Sequence, residues 1–64
     1  MITLNGIPRE GDGMSLEELL KAQAYNRNQV AVGINGQVAA KEKYSSMILK
    51  DGDEVEVFQF MGGG

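Results

Sequence analysis

Glu54-Val55-Glu56-Val57-Phe58-Gln59-Phe60-Met61-Gly62-Gly63-Gly64 is the stretch whose reading decides the fold. It opens in strict alternation, with Val55 and Val57 on one side and Glu54 and Glu56 on the other, as a half-buried strand requires. The apolar parity then changes. Phe58 and Phe60 share the parity of the glutamates, so a regular strand points them away from the core. Two arrangements satisfy this pattern: a bulge that re-aims the rings inward, or a strand that displays two aromatics on its outer face. Display is favoured, and it would place an apolar docking patch just before the end. Met61-Gly62-Gly63-Gly64 carries almost nothing that can pack, and is expected to form a flexible tail. Read alone, such glycines are more often a frayed terminus or a linker than a working part.

Working back from this strand, Asp51-Gly52-Asp53 reads as the turn that starts it. Ile48-Leu49 is a small apolar anchor, and the polar Lys41–Met47 segment has room for one helical turn with Tyr44 inward. Val30-Ala31-Val32-Gly33-Ile34 alternates as a second strand. It meets Gln37-Val38-Ala39-Ala40 across Asn35-Gly36, a strong hairpin signal because a type I′ turn needs positive φ at both central residues. The chain begins with the same device: Met1-Ile2-Thr3-Leu4, then Asn5-Gly6, then Ile7-Pro8-Arg9-Glu10. Pro8 cannot donate to a ladder, which assigns its strand to a sheet edge.

Between the hairpins lies one amphipathic helix, expected over roughly Leu16 to Ala24. Ser15 and Glu18 form a capping box, and Met14 with Leu19 fits a hydrophobic staple. Leu16, Leu19 and Leu20 make its apolar stripe, and Glu17 and Lys21 form an i,i+4 pair worth about 0.2–0.5 kcal/mol. The polar run Tyr25 to Gln29 ends it.

Composition excludes several functions. The 64 residues contain no cysteine and no histidine, so there is no disulfide, no thiolate nucleophile and no histidine metal ligand or base. Net charge is −3 with six scattered Lys and Arg residues, which argues against nucleic acid as a partner. No apolar run reaches membrane-span length and no leader opens the chain, so a cytoplasmic protein without membrane attachment is expected. Gly11-Asp12-Gly13 is a turn rather than a phosphate loop, since no Gly-Lys-Ser/Thr follows. Asp51, Asp53, Glu54 and Glu56 lack the ligand spacing of an EF-hand loop and are expected to form a solvated turn and strand face, with steering onto a basic partner as the weaker reading.

One helix must cover the apolar face of every strand, giving an α+β two-layer domain. A mixed sheet of about five short strands is expected, with the last strand central, beside the first and third. The expected core is Ile2, Leu4, Leu16, Leu19, Leu20, Val30, Val32, Ile34, Val38, Leu49, Val55 and Val57. The domain is assigned to residues 1–60 and the flexible tail to residues 61–64.

Hairpin, helix, hairpin and a central last strand running into terminal glycines is the ubiquitin-like β-grasp pattern. Within that group the chain resembles the ThiS family of sulfur carriers in thiamine biosynthesis over essentially its whole length. The resemblance rests on Ser15-Leu16-Glu17-Glu18-Leu19-Leu20, Val30-Ala31-Val32-Gly33-Ile34-Asn35-Gly36, Leu49-Lys50-Asp51-Gly52-Asp53-Glu54-Val55-Glu56-Val57 and Phe60-Met61-Gly62-Gly63-Gly64. It implies a carrier rather than an enzyme, with no catalytic group, bound metal or stably bound cofactor of its own. By resemblance, an E1-like adenylyltransferase (ThiF-like) uses ATP to adenylate the Gly64 carboxylate. Sulfur then replaces the adenylate, and the thiocarboxylate passes to a thiazole synthase (ThiG-like). Gly62 and Gly63 would thread the tail into the partner's site, and Phe58, Phe60 and Met61 would dock beside it. Alternative readings are the small subunit of molybdopterin synthase, a ubiquitin-like modifier of lysines, and an inert β-grasp binding module.

Overall fold

The computed structural model describes residues 1–60. Five strands form one sheet in the order β2-β1-β5-β3-β4. These are β1 (Ile2–Leu4), β2 (Ile7–Arg9), β3 (Val30–Ile34), β4 (Gln37–Val38) and β5 (Glu54–Gln59), with a single helix α1 (Leu16–Ala22) between β2 and β3. β5 lies parallel to β1 and antiparallel to β3, so the last strand is central and the sheet is mixed, as its sequence predicts.

Both Asn-Gly pairs do what their chemistry requires. Asn5 and Gly6 have φ of 51° and 82°, and Asn35 and Gly36 have 52° and 84°, the left-handed pairs of a type I′ hairpin. Their side chains also bind the last strand. Asn5 Oδ1 accepts from the Val57 N–H at 2.8 Å. Asn35 Oδ1 accepts from the Glu54 N–H at 2.9 Å, and its amide donates to Asp53 at 3.1 Å. Each turn thus closes its own hairpin and ties it to the central strand.

The helix starts where the capping box puts it. Ser15 Oγ accepts from the Glu18 N–H at 3.1 Å, and Glu18 accepts from the Ser15 N–H at 2.9 Å; the Ser15 backbone N–H, then its hydroxyl, holds the Glu18 carboxyl below the usual carboxylate range. The helix ends at Ala22, two residues earlier than the sequence predicts. Ala24 takes φ 62°, the Ala24 N–H donates to Lys21 and the Tyr25 N–H donates to Leu20. This is a Schellman ending with alanine where glycine is usual.

Leu16, Leu19, Leu20, Ile2, Val32, Tyr44, Leu49 and Val55 are buried almost completely between the two layers. Tyr44 comes from the Lys41–Met47 segment, which forms a 3-10 turn over Lys41–Lys43; the Arg27 guanidinium lies 5.7 Å from the Tyr44 ring centre and pairs with Glu17. Two expected core positions, Val38 and Ile34, need correction. Val38 is 87% exposed and Ala39 is buried instead, because β4 pairs Val38 with Gly33 on the outer face of the sheet. Ile34 only partly joins the core. Of the Ile48-Leu49 anchor, Leu49 is buried and Ile48 is exposed.

Candidate functional site: the outer face and terminal end of the last strand

β5 is the last element of the described residues and stands directly before the glycine-rich end of the sequence. Val55 and Val57 point into the core, while Glu54, Glu56 and Phe58 alternate onto the outer face. The ladder with β3 runs from Val55 opposite Ile34 to Gln59 opposite Val30, one residue against one, which excludes a bulge within it. The phase change at Phe58 therefore survives folding. Phe58 is 61% exposed and Phe60 60%, the display arrangement. Phe60 is held by its N–H donating to Gln29 at 2.9 Å, so the rings sit on fixed backbone.

Around Phe58 the outer face is shallow. Its opposite residue is Ala31, and Gly33 follows two residues on, so small side chains leave the aromatic ring proud of the sheet. Exposed Val38, opposite Gly33, adds apolar surface on the same face. Toward the start of β5 the surface turns acidic, with Glu54 and Glu56 beside Thr3 and Gly6 in an open groove. An apolar patch with a charged flank is how protein-docking surfaces are built.

The start of β5 is anchored by polar contacts that the sequence reading missed. Asp53, expected on a solvated face, is buried. It accepts from the Lys50 N–H at 3.0 Å and from the Asn35 amide. Burial pushes its carboxyl up, but those two hydrogen bonds and the Lys50 charge together hold it below the usual range. The pairing of an Asp with an Asn-Gly turn 18 residues away was the signal available, and it needs the topology to be seen. The N-terminal ammonium lies 2.6 Å from Asp51 and 2.9 Å from Asp12. Hydrogen bonds to Asp51 and then Asp12 push the Met1 amine up to about 10, and the same contact lowers Asp51.

The described residues contain no group of acidic side chains placed to hold a metal ion, and no helix among them is long and apolar enough to cross a membrane. The expected sulfur-carrying Gly64, the threading residues Gly62 and Gly63, and Met61 lie outside the described residues.

Comparison with known proteins gives a consistent picture. The ThiS family model matches residues 2–64. A sulfur carrier protein ThiS from Thermus thermophilus is 38% identical over 64 residues, covering 100% of both chains. A thiazole synthase from Magnetococcus marinus is also 38% identical over 64 residues; the match takes in 98% of this chain but 20% of that protein, so the chain spans about a fifth of that relative. The crystal structure of a thiamine biosynthesis protein (ThiS) from Geobacter metallireducens superposes with a TM-score of 0.78 at 40% identity, covering 98% of this chain and 97% of that one. The β-grasp architecture expected from the element order is the architecture found.

Proposed function

Because the chain belongs to the ThiS family, we propose that it is a sulfur carrier of thiamine biosynthesis whose working group is the Gly64 carboxylate. That carboxylate oxygen attacks the α-phosphorus of ATP in an E1-like, ThiF-like partner, releasing pyrophosphate and leaving an acyl adenylate. Sulfide-level sulfur, as HS⁻, then attacks the carbonyl carbon and expels AMP, and the resulting thiocarboxylate donates its sulfur on a ThiG-like thiazole synthase. Activation is needed because a free carboxylate is a poor electrophile, and the mixed anhydride provides a leaving group.

The observation that carries this reading is the placement of Phe58 and Phe60. Phe58 is exposed on the central strand and Phe60 directly after its end, and in the sequence Met61 and the three glycines follow. In the reading they are the docking anchors, with Met61, and apolar anchors of this kind dominate binding energy at interfaces. Gly62 and Gly63 give the tail a backbone with no Cβ to collide with the walls of a narrow nucleotide site. General base, nucleophile and metal come from the partner, which fits a chain without cysteine or histidine. The full-length relative named a sulfur carrier protein ThiS supports thiamine over the molybdopterin route. It also supports a carried protein over an enzyme. The match to part of a protein named thiazole synthase supports that partner class.

The test is adenylation. Incubated with ATP and the E1-like partner, the wild-type chain is expected to form an acyl adenylate and release pyrophosphate. Deleting Gly64 is expected to abolish both while leaving the melting temperature unchanged. Adenylation of the deletion variant would overturn the assignment of Gly64.

A further inference from the structure

The hydrogen-bonding groups of β5 separate cleanly by side. Even-numbered residues face β3: Asn35 donates to Glu54, Phe60 donates to Gln29, and the ladder between them is continuous. Odd-numbered residues face β1, where Thr3 donates to Asp53 and Asn5 donates to Val55. The β1 strand then stops at its turn, and the Asn5 side chain supplies one more rung by accepting from the Val57 N–H. Beyond that rung, the Val57 carbonyl and the Gln59 N–H and carbonyl have no hydrogen-bond partner among the described residues. The central strand of the sheet thus has an open edge over its last turn of pleat.

The other two edges of the sheet are blunted. β2 carries Pro8 at its centre, and β4 is two residues long; both are devices that discourage strand pairing. The β5 half-edge has no such protection. It is flanked by the exposed Phe58 and Phe60, and it ends where the tail begins.

We propose that this edge is a strand-addition site: an extended backbone segment of the adenylating partner pairs with Val57 and Gln59 where β1 leaves off. The inference rests on the carrier reading above. If Gly64 is the activated terminus, the four residues after Phe60 reach at most about 14 Å when fully extended. A partner that encloses the carboxylate must therefore lie against the end of β5. A chain entering that space meets one donor and two acceptors that are unpaired among the described residues and lie in strand geometry, and pairing with them follows the usual mode of strand addition. Main-chain pairing also fixes the direction in which the tail leaves, while Phe58 and Phe60 hold the adjoining face.

Amide exchange followed by NMR tests this, with the E1-like partner and a non-hydrolysable ATP analogue. In the free chain the Gln59 N–H exchanges fast while Phe58 is protected by β3 and Phe60 by the Gln29 carbonyl; in the complex Gln59 becomes protected. Gln59→Pro removes that donor without touching the β3 ladder, and is expected to weaken partner binding roughly tenfold, whereas Gln59→Ala keeps the N–H and binds nearly as the wild type does. If the wild-type chain is adenylated but Gln59 stays fast-exchanging and Gln59→Pro binds normally, strand addition is wrong and the carrier reading stands. If the wild-type chain is neither bound nor adenylated, the carrier reading fails and takes this inference with it. Protection of Gln59 that rises with concentration of the free chain identifies a second copy as the occupant and overturns the proposal.

Discussion

The two halves of β5 are built from one continuous alternation, yet they are held in opposite ways. From Glu54 to Val57 the strand is tied on both sides: β1 and the Asn5 side chain on one, β3 and the Asn35 side chain on the other. Its apolar residues, Val55 and Val57, are buried. From Phe58 onward the backbone is held on one side alone, by β3 and by Gln29 just before it, and the apolar residues face solvent. The difference is a division of labour along six residues. The first half spends its hydrophobic surface on the fold, and the second half leaves it available for a partner.

The sharpest way to break the first half is through the turn that clamps it. Asn35→Ala puts a Cβ residue without a compensating side chain at φ 52° and removes both the acceptor for the Glu54 N–H and the donor to buried Asp53. A loss of about 3 kcal/mol in urea unfolding is expected. Asn35→Gly keeps the turn and loses only the side-chain bonds, so it should fall between Asn35→Ala and wild type.

Next in size is a direct contrast between the halves. Val55→Ala empties a fully buried site and should cost about 2 kcal/mol of stability. Phe58→Ser removes a larger side chain but an exposed one, and should change stability by no more than about 0.5 kcal/mol. Its effect belongs in a binding measurement instead, where the E1-like partner should lose roughly tenfold or more in affinity. A Phe58→Ser variant that unfolds would merge the two halves into one core and end the distinction.

The smallest effect concerns the loop that feeds the strand. The Met1 ammonium, at about 10 against an ordinary 8.0, is raised in the folded state. Its contribution is complete below about pH 8 and is lost as pH rises through about 10. Asp51 has the opposite sense, because its carboxyl is lowered by the ammonium, so that contribution is lost as pH falls below the carboxylate range. Both groups are exposed, so the change is modest. Melting temperature should decline between pH 8 and 10, and Asp51→Asn should flatten that decline.

Much of this was legible in the sequence because the signals are local. The capping box at Ser15 and Glu18, the two Asn-Gly turns and the parity of residues 54 to 60 each fix geometry within a few residues, and all of them appear in the structure. The edge position of Pro8 follows from its missing donor, and the central position of β5 from the element order. What escaped depends on neighbours distant in the chain. Val38 has strand parity of its own, but pairing with Gly33 assigns it to the outer face. Asp53 looked like a solvated acid until Asn35 was brought against it. The helix end at Ala22, closed by Ala24 in the left-handed conformation, had no glycine to announce it. Alternation favoured exposure of Phe58 and Phe60 and the one-to-one ladder with β3 decides it, whereas the open edge at Gln59 required knowing where β1 stops.

The central claim is that this domain presents a terminal carboxylate for sulfur loading. Intact-mass spectrometry of the chain, after incubation with the E1-like partner, ATP and a sulfur source, tests it most directly. The account predicts a new species in which one oxygen of Gly64 is replaced by sulfur, localised to the last residue by fragmentation and absent when ATP is withheld. A chain that keeps its unmodified mass under conditions where a known carrier of the family is converted would contradict it.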